Sequence, residues 1–240
     1  MLAIIGGSRL SQLPILQITH RQIVRTPYGD PSCALTFGQI AAQSVVFLAR
    51  HGYGNSIVPH EINYRANIWA LHSLGVRQVI AIASVGGIRP DLAPGRLALP
   101  DDLIDSSWGR KHTYHEGQGV AVQHVDFAQP YDNALRQQLL AAAQQAGVDV
   151  ADGGVYACTQ GPRLETAAEV RALSRLGADI VGMTGMPEAA LARELGLAYA
   201  SLCIVTNWAS GLGGQQAAAN FNPAIIAGST DQLQRILQAL

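Results

Sequence analysis

The chain has 240 residues, 48% of them hydrophobic and 14% charged, with 16 Lys and Arg against 17 Asp and Glu. That balance excludes a disordered or linker-like chain and predicts a compact domain with a large core. A formal net charge of -1 supplies no basic field for a nucleic acid backbone, so an anionic ligand has to be held by a local site.

Taken in order, a short strand over 1–5 runs into Gly6-Gly7-Ser8. Strand-like alternation over 18–25 and 34–40 flanks the turn Pro27-Tyr28-Gly29-Asp30-Pro31. Residues 43–49 read as a buried strand ending at Arg50-His51-Gly52. A helix over 63–73 is amphipathic through Ile68, Leu71 and Leu74 and closes at Gly75. Strands over 78–83 and 95–100 end in Ser84-Val85-Gly86-Gly87 and Asp101-Asp102. A helix over 133–146 closes at Gly147, and a strand over 154–159 leads to Gly161-Pro162-Arg163. A helix over 166–176 precedes a short strand over 179–182, which reaches Met183-Thr184. After a helix over 187–195, a buried strand begins at Leu197 and stops at Thr206-Asn207-Trp208. A helix over 223–240 ends the sequence. No repeat, low-complexity tract or linker divides it, which predicts one α/β domain over 1–240 with helices on both faces of the sheet.

Cys33, Cys158 and Cys203 are isolated, without Cys-x-x-Cys spacing, and read as thiols of a reducing compartment. The apolar start, MLAIIGGSRL, is too short for a signal peptide or a membrane span, and no other run reaches membrane length. A cytoplasmic protein without a membrane or nucleic acid partner is expected.

In an open α/β sheet, ligands sit beyond the carboxyl ends of the strands. Polar groups and glycines collect at those ends here. Ser8 adds a hydroxyl to a Gly-Gly turn that frees backbone N–H groups, although a structural turn explains the same residues. Arg50 offers a fork of donors suited to phosphate, against the alternative of a surface ion pair. With His51 and Thr184 these residues would form an oxyanion cradle carrying one positive charge. Such a cradle suits inorganic phosphate better than a polyphosphate, which brings Mg²⁺ and acidic ligands. Glu165 lies just before a helix and reads equally as an N-terminal acid or cap. Asn207 reads as an Asx turn or as a ligand contact with both donors and an acceptor. His112, His115 and Glu116 lack zincin spacing and read as solvated loop residues; Asp101-Asp102 reads as a turn, and no metal is expected.

Several segments together resemble 5′-methylthioadenosine phosphorylase, of the trimeric purine nucleoside phosphorylase superfamily. They are Ile5-Gly6-Gly7-Ser8, Thr26-Pro27-Tyr28-Gly29-Asp30-Pro31-Ser32, Leu48-Ala49-Arg50-His51-Gly52, Pro59 with Asn63-Tyr64-Arg65-Ala66-Asn67-Ile68-Trp69-Ala70-Leu71, and Gly182-Met183-Thr184. The resemblance covers nearly the whole chain. It implies a twisted mixed sheet flanked by helices, a homotrimer, and no metal or organic cofactor, with inorganic phosphate as co-substrate. The family's phosphate site falls on Ser8, Arg50, His51, Ser84 and Thr184, and its ribose contact on Met183. His124 matches a position contributed across the trimer interface, and the segment 217–225 falls where the 5′ end of the nucleoside is lined.

Two departures bear on the base. Asn207 stands where the methylthioadenosine enzymes have Asp, and Glu165 matches the inosine- and guanosine-cleaving branch. Leu164 replaces the Phe of both branches, and Ala83 a polar residue near the phosphate. A 6-oxopurine presents O6 and N1–H; Asn207 can donate to O6 and accept a proton shared with N7, and a Glu165 carboxylate can accept from N1–H. A 6-aminopurine presents the reverse pattern, with an unpaired polar group at each site costing about 1–3 kcal/mol. The expected reaction is phosphorolysis of S-methyl-5′-thioinosine to hypoxanthine and 5-methylthioribose 1-phosphate. The alternatives are a general inosine/guanosine phosphorylase, a methylthioadenosine phosphorylase, and a non-catalytic purine- or phosphate-binding module.

Overall fold

The structure is a computed structural model and describes residues 1–7, 10, 12–213 and 222–240. Its strands are β1 (Leu2–Gly6), β2 (Gln17–Gln22), β3 (Leu35–Ile40), β4 (Gln43–Ala49), β5 (Gln78–Gly87), β6 (Leu97–Leu99), β7 (Asp102–Asp105), β8 (Val150–Asp152), β9 (Val155–Cys158), β10 (Ile180–Gly182) and β11 (Ala198–Trp208). The helices are α1 (Tyr64–Ser73), α2 (Asn133–Gln145), α3 (Ala167–Arg175), α4 (Glu188–Glu194) and α5 (Pro223–Gln238). No helix among the described residues is long and apolar enough to cross a membrane.

The helix starts follow local chemistry. Asn63 caps α1 by accepting from the Ala66 amide, Asp132 caps α2 by accepting from Leu135, and Asn222 caps α5 by accepting from Ala224. The sheet is mixed, in the order β2-β3-β4-β1-β5-β10-β9-β7, with β11, β6 and β8 branching from β5. Side-chain alternation divides the core between its two faces. Ala3 and Ile5 of β1 join Ile68 and Leu71 of α1 and Ala189 and Leu191 of α4. Leu2 and Ile4 join Leu135 and Leu139 of α2 and Leu233 and Ile236 of α5. Helices therefore cover both faces, as the alternation of elements predicts.

Two expectations need correction. Residues 84–87 and 206–208 are not loops beyond their strands: β5 continues to Gly87 and β11 to Trp208. The two strands pair in parallel along their whole length and so override the loop propensity of Ser, Gly, Thr and Asn. A register shift lies between Val205 and Asn207, so that Asn207 pairs with Gly86. A bulge of this kind re-aims the side chains that follow it. Asp102 likewise opens a strand, β7, rather than ending a turn, and β8 is an additional short strand that periodicity did not reveal.

β5 also explains where the sheet opens. Its first residues, 78–81, pair with β1, and its last, Gly86 and Gly87, pair with β10, which runs antiparallel. Between those ladders, residues 82–85 have no strand on that side among the described residues. The two neighbours part there, and a parting of strands at their carboxyl ends is where α/β sheets place ligands.

Candidate active site

A cavity of about 380 Å³ occupies this parting, within the usual range for small-molecule sites. Its walls come from the ends of five strands: Gly7 after β1, Arg50 and His51 after β4, Ala83 and Ser84 in β5, Met183 and Thr184 after β10, and Thr206 and Asn207 in β11. Pro162, Leu164 and Glu165 enter from the loop between β9 and α3. Of the sequence-predicted residues, Arg50, His51, Ser84, Thr184, Met183, Leu164, Glu165 and Asn207 are thus brought together. Ser8 lies outside the described residues, as do positions 217–221 of the segment expected at the 5′ end. His124 is exposed on an irregular stretch and does not line the cavity of its own chain.

Arg50 is 1% exposed. Its Nε and Nη2 donate to the two oxygens of Glu188 at 2.7 and 2.8 Å, and Nη1 donates to the Ile82 carbonyl at 3.0 Å. The Tyr199 hydroxyl donates to the same carboxylate at 2.8 Å. Burial works against the guanidinium charge, but Glu188 outweighs it and the pKa is raised. The positive charge expected of the cradle is therefore present but matched, because a guanidinium cannot be buried so completely without a counter-charge. One N–H on each of Nη1 and Nη2 is left over from these bonds. The Ser84 and Thr184 hydroxyls both line the cavity; Ser84 makes no hydrogen bond to another described residue, and Thr184 lies beside the Tyr156 hydroxyl.

Two structural readings of the base-side residues are displaced by the geometry. The cap of α3 is a box formed by Thr166 and Glu169, not by Glu165. Arg163 grips Glu169 in a fork and, with the Thr166 amide, holds its carboxyl down to about 2. Glu165 is left to turn inward, 9% exposed, where its Oε1 accepts from Thr159 Oγ1 at 2.5 Å. Asn207 is fixed as well. A carbonyl only accepts, so the amide atom 2.8 Å from the Trp208 oxygen is Nδ2, while Oδ1 accepts from the Thr206 hydroxyl at 2.9 Å. The amide keeps one N–H and one lone pair for a ligand.

The sequence reasoning missed Glu188, Tyr199, Thr159, Thr206 and an apolar run, Ile57, Val58 and Pro59, that forms one wall of the cavity. That run was readable as three apolar residues that follow Arg50-His51-Gly52 after Tyr53-Gly54-Asn55-Ser56. Glu188 carried no signal, since it lies 138 positions from Arg50.

Close packing also limits the site. A Cβ on Gly182, the last residue of β10, would stand against the Tyr156 hydroxyl and 2.8 Å from its ring carbon Cζ. Gly182→Ala is expected to displace Met183 and Thr184 and to reduce kcat/KM at least tenfold, of the order of 1.4 kcal/mol. Steady-state kinetics beside a melting curve will separate this loss from unfolding. Thr159→Val frees Glu165 from its hydroxyl partner and is expected to reduce kcat/KM for a 6-oxopurine nucleoside about tenfold, with the KM for phosphate unchanged. A change confined to phosphate would contradict the role given to Glu165.

The family model of the phosphorylase superfamily matches residues 2–240. The chain belongs to this superfamily. A Xanthomonas campestris pv. campestris protein named "Probable S-methyl-5′-thioinosine phosphorylase" is 52% identical over 215 residues, covering 90% of this chain and 86% of that protein. A 6-oxopurine nucleoside phosphorylase of Pyrococcus furiosus is 46% identical over 220 residues, covering 90% and 82%. Among solved structures, a methylthioadenosine phosphorylase from Schistosoma mansoni in complex with adenine superposes with a TM-score of 0.93 at 31% identity, covering 99% of this chain and 89% of that one. As a phosphorylase the chain is an enzyme, and the cavity at the parting of β1 and β10 is its candidate active site.

Proposed function

We propose that the enzyme cleaves S-methyl-5′-thioinosine with inorganic phosphate, giving hypoxanthine and 5-methylthioribose 1-phosphate. The observation that carries the base assignment is the locked amide of Asn207. With Nδ2 toward Trp208 and Oδ1 toward Thr206, it still offers one donor and one acceptor, the set that O6 and N7–H of a departing 6-oxopurine require. Glu165 accepts from N1–H. The 5′ assignment rests on the apolar run Ile57, Val58 and Pro59 in the cavity wall, which suits a methylthio group. The relatives from Xanthomonas campestris and Pyrococcus furiosus support the 6-oxopurine reading by their names.

Phosphate, held by Arg50, His51, Ser84, Thr184 and Ser8, attacks C1′ from the face opposite the base. The ribosyl ring becomes oxocarbenium-like, and the phosphate stabilises that charge while standing in line for attack. Asn207 stabilises negative charge as it reaches N7, and Glu165 fixes the purine plane. Met183 supports the ribose, and Leu164 covers the base. No protein nucleophile, metal or organic cofactor takes part. The working unit is a cytoplasmic homotrimer in which His124 reaches a neighbouring subunit's site.

Phosphate-dependent cleavage of methylthioinosine, inosine and methylthioadenosine at equal concentration tests this. Methylthioinosine is expected to be cleaved fastest. Preference for methylthioadenosine would sink the base assignment, preference for inosine the 5′ assignment, and no phosphate-dependent cleavage the enzyme reading itself.

A further inference from the structure

The anion side of the cavity contains an acceptor. The ring nitrogen of His51 2.8 Å from the Ile57 carbonyl is Nδ1. Because the carbonyl can only accept, Nδ1 carries the proton, and in the neutral ring Nε2 holds a lone pair. Burial and then the Arg50 charge push the imidazole below the ordinary histidine range, with Glu188 acting in the opposite direction. The ring is thus neutral at and above neutral pH. It lines the cavity beside Arg50, Ser84 and Thr184. Arg50 can only donate, the two hydroxyls can donate or accept, and the one guanidinium among them is already charge-matched by Glu188.

We propose that phosphate is taken up as a species that still carries a proton, its hydroxyl donating to His51 Nε2, and that this nitrogen selects phosphate and arsenate over sulfate. The inference rests on the phosphorolysis reading only for the identity of the anion. Near neutral pH phosphate and arsenate retain at least one hydroxyl, whereas sulfate retains none. All three are tetrahedral, and at mildly alkaline pH all three are dianions. A cradle of donors around an unmatched cation would hold them alike. Here sulfate has to set a bare oxygen against the lone pair of the buried His51 ring, and two facing acceptors leave both unpaired. Hydrogen phosphate satisfies the same nitrogen and still gives its other oxygens to Arg50, Ser84 and Thr184.

The test is calorimetric titration of the enzyme, without nucleoside, with sodium phosphate, arsenate and sulfate at pH 8 and constant ionic strength. Where free-enzyme affinities are low, base release driven by phosphate or arsenate, and its inhibition by sulfate, give the same ranking. Phosphate and arsenate are expected within about threefold of each other and sulfate at least about tenfold weaker. In His51→Ala, water fills the place and can donate or accept, so the gap is expected to close to about threefold. Native enzyme that binds sulfate as tightly as phosphate would overturn the proposal, and so would an undiminished gap in the variant. Activity on methylthioinosine with no anion discrimination removes the proposal and leaves the function. The expected ranking in an enzyme that leaves methylthioinosine uncleaved does the reverse.

Discussion

Asn207→Asp is expected to lower the preference for 6-oxopurine over 6-aminopurine nucleosides by about 100-fold, the effect of two mispaired buried groups. The geometry around position 207 sets the sign. A carboxylate there would place an oxygen against the Trp208 carbonyl, where Nδ2 now donates at 2.8 Å. Two facing acceptors are relieved only by protonating the carboxyl, and that proton is then spent on Trp208. The other carboxyl oxygen already accepts from Thr206. What remains toward the base is acceptors alone. Such a surface pairs with the amino group of a 6-aminopurine and has nothing to donate to O6. The swing is incomplete, because Glu165 still accepts from N1–H of the 6-oxo base. Adding Glu165→Gln supplies a donor for the bare N1 of adenine and is expected to carry the preference further. Measuring kcat/KM for methylthioinosine and methylthioadenosine in the native enzyme and both variants checks this. An unmoved ratio in Asn207→Asp would show that Asn207 does not read the base.

The second large effect concerns Glu188, which is fully buried and holds Arg50 in a fork. Glu188→Ala leaves a guanidinium without its counter-charge and the Tyr199 hydroxyl without its acceptor. A loss of about 4 kcal/mol in stability is expected, a fall of roughly 10 °C in Tm for a chain of this size. The KM for phosphate should rise because the fork that orients Arg50 is gone. Arg50→Met with Glu188→Leu separates the two consequences. Replacing a buried pair by apolar groups of similar volume is close to neutral, so the double variant is expected to regain most of the lost stability. It should not regain phosphate binding, since the Arg50 donors are absent. If the double variant melts as low as Glu188→Ala, the pair does more for folding than charge matching explains.

Much of the fold was legible because the relevant information is local. The strand predicted over 43–49 has those bounds in the structure, since an apolar run buried on both faces admits few other conformations. Asn63 and Asn133 mark helix starts to within one residue, because capping is decided within a single turn. The prediction failed where pairing overrules propensity. Thr206-Asn207-Trp208 and Ser84-Val85-Gly86-Gly87 carry turn-forming residues, yet each supplies the other with a ladder partner. β7 and β8 are three or four residues long, too short to show a period.

The site divides in the same way. The sequence by itself determined which residue types stand at the strand ends: Arg50-His51, Met183-Thr184, Glu165 and Asn207. Their chemistry pointed to a phosphate cradle, and the resemblance to the phosphorylases was needed to read Glu165 and Asn207 as partners of a 6-oxopurine. Only the tertiary structure decided how those groups are set. It assigned the cap of α3 to Glu169 and so turned Glu165 inward. It fixed the orientation of the Asn207 amide and the tautomer of His51 through carbonyls of Trp208 and Ile57. It also matched the charge of Arg50 with a residue 138 positions away. Residue type is written at each position, whereas protonation, tautomer and net charge depend on which groups the sheet order brings within hydrogen-bonding distance, and no local pattern records that order.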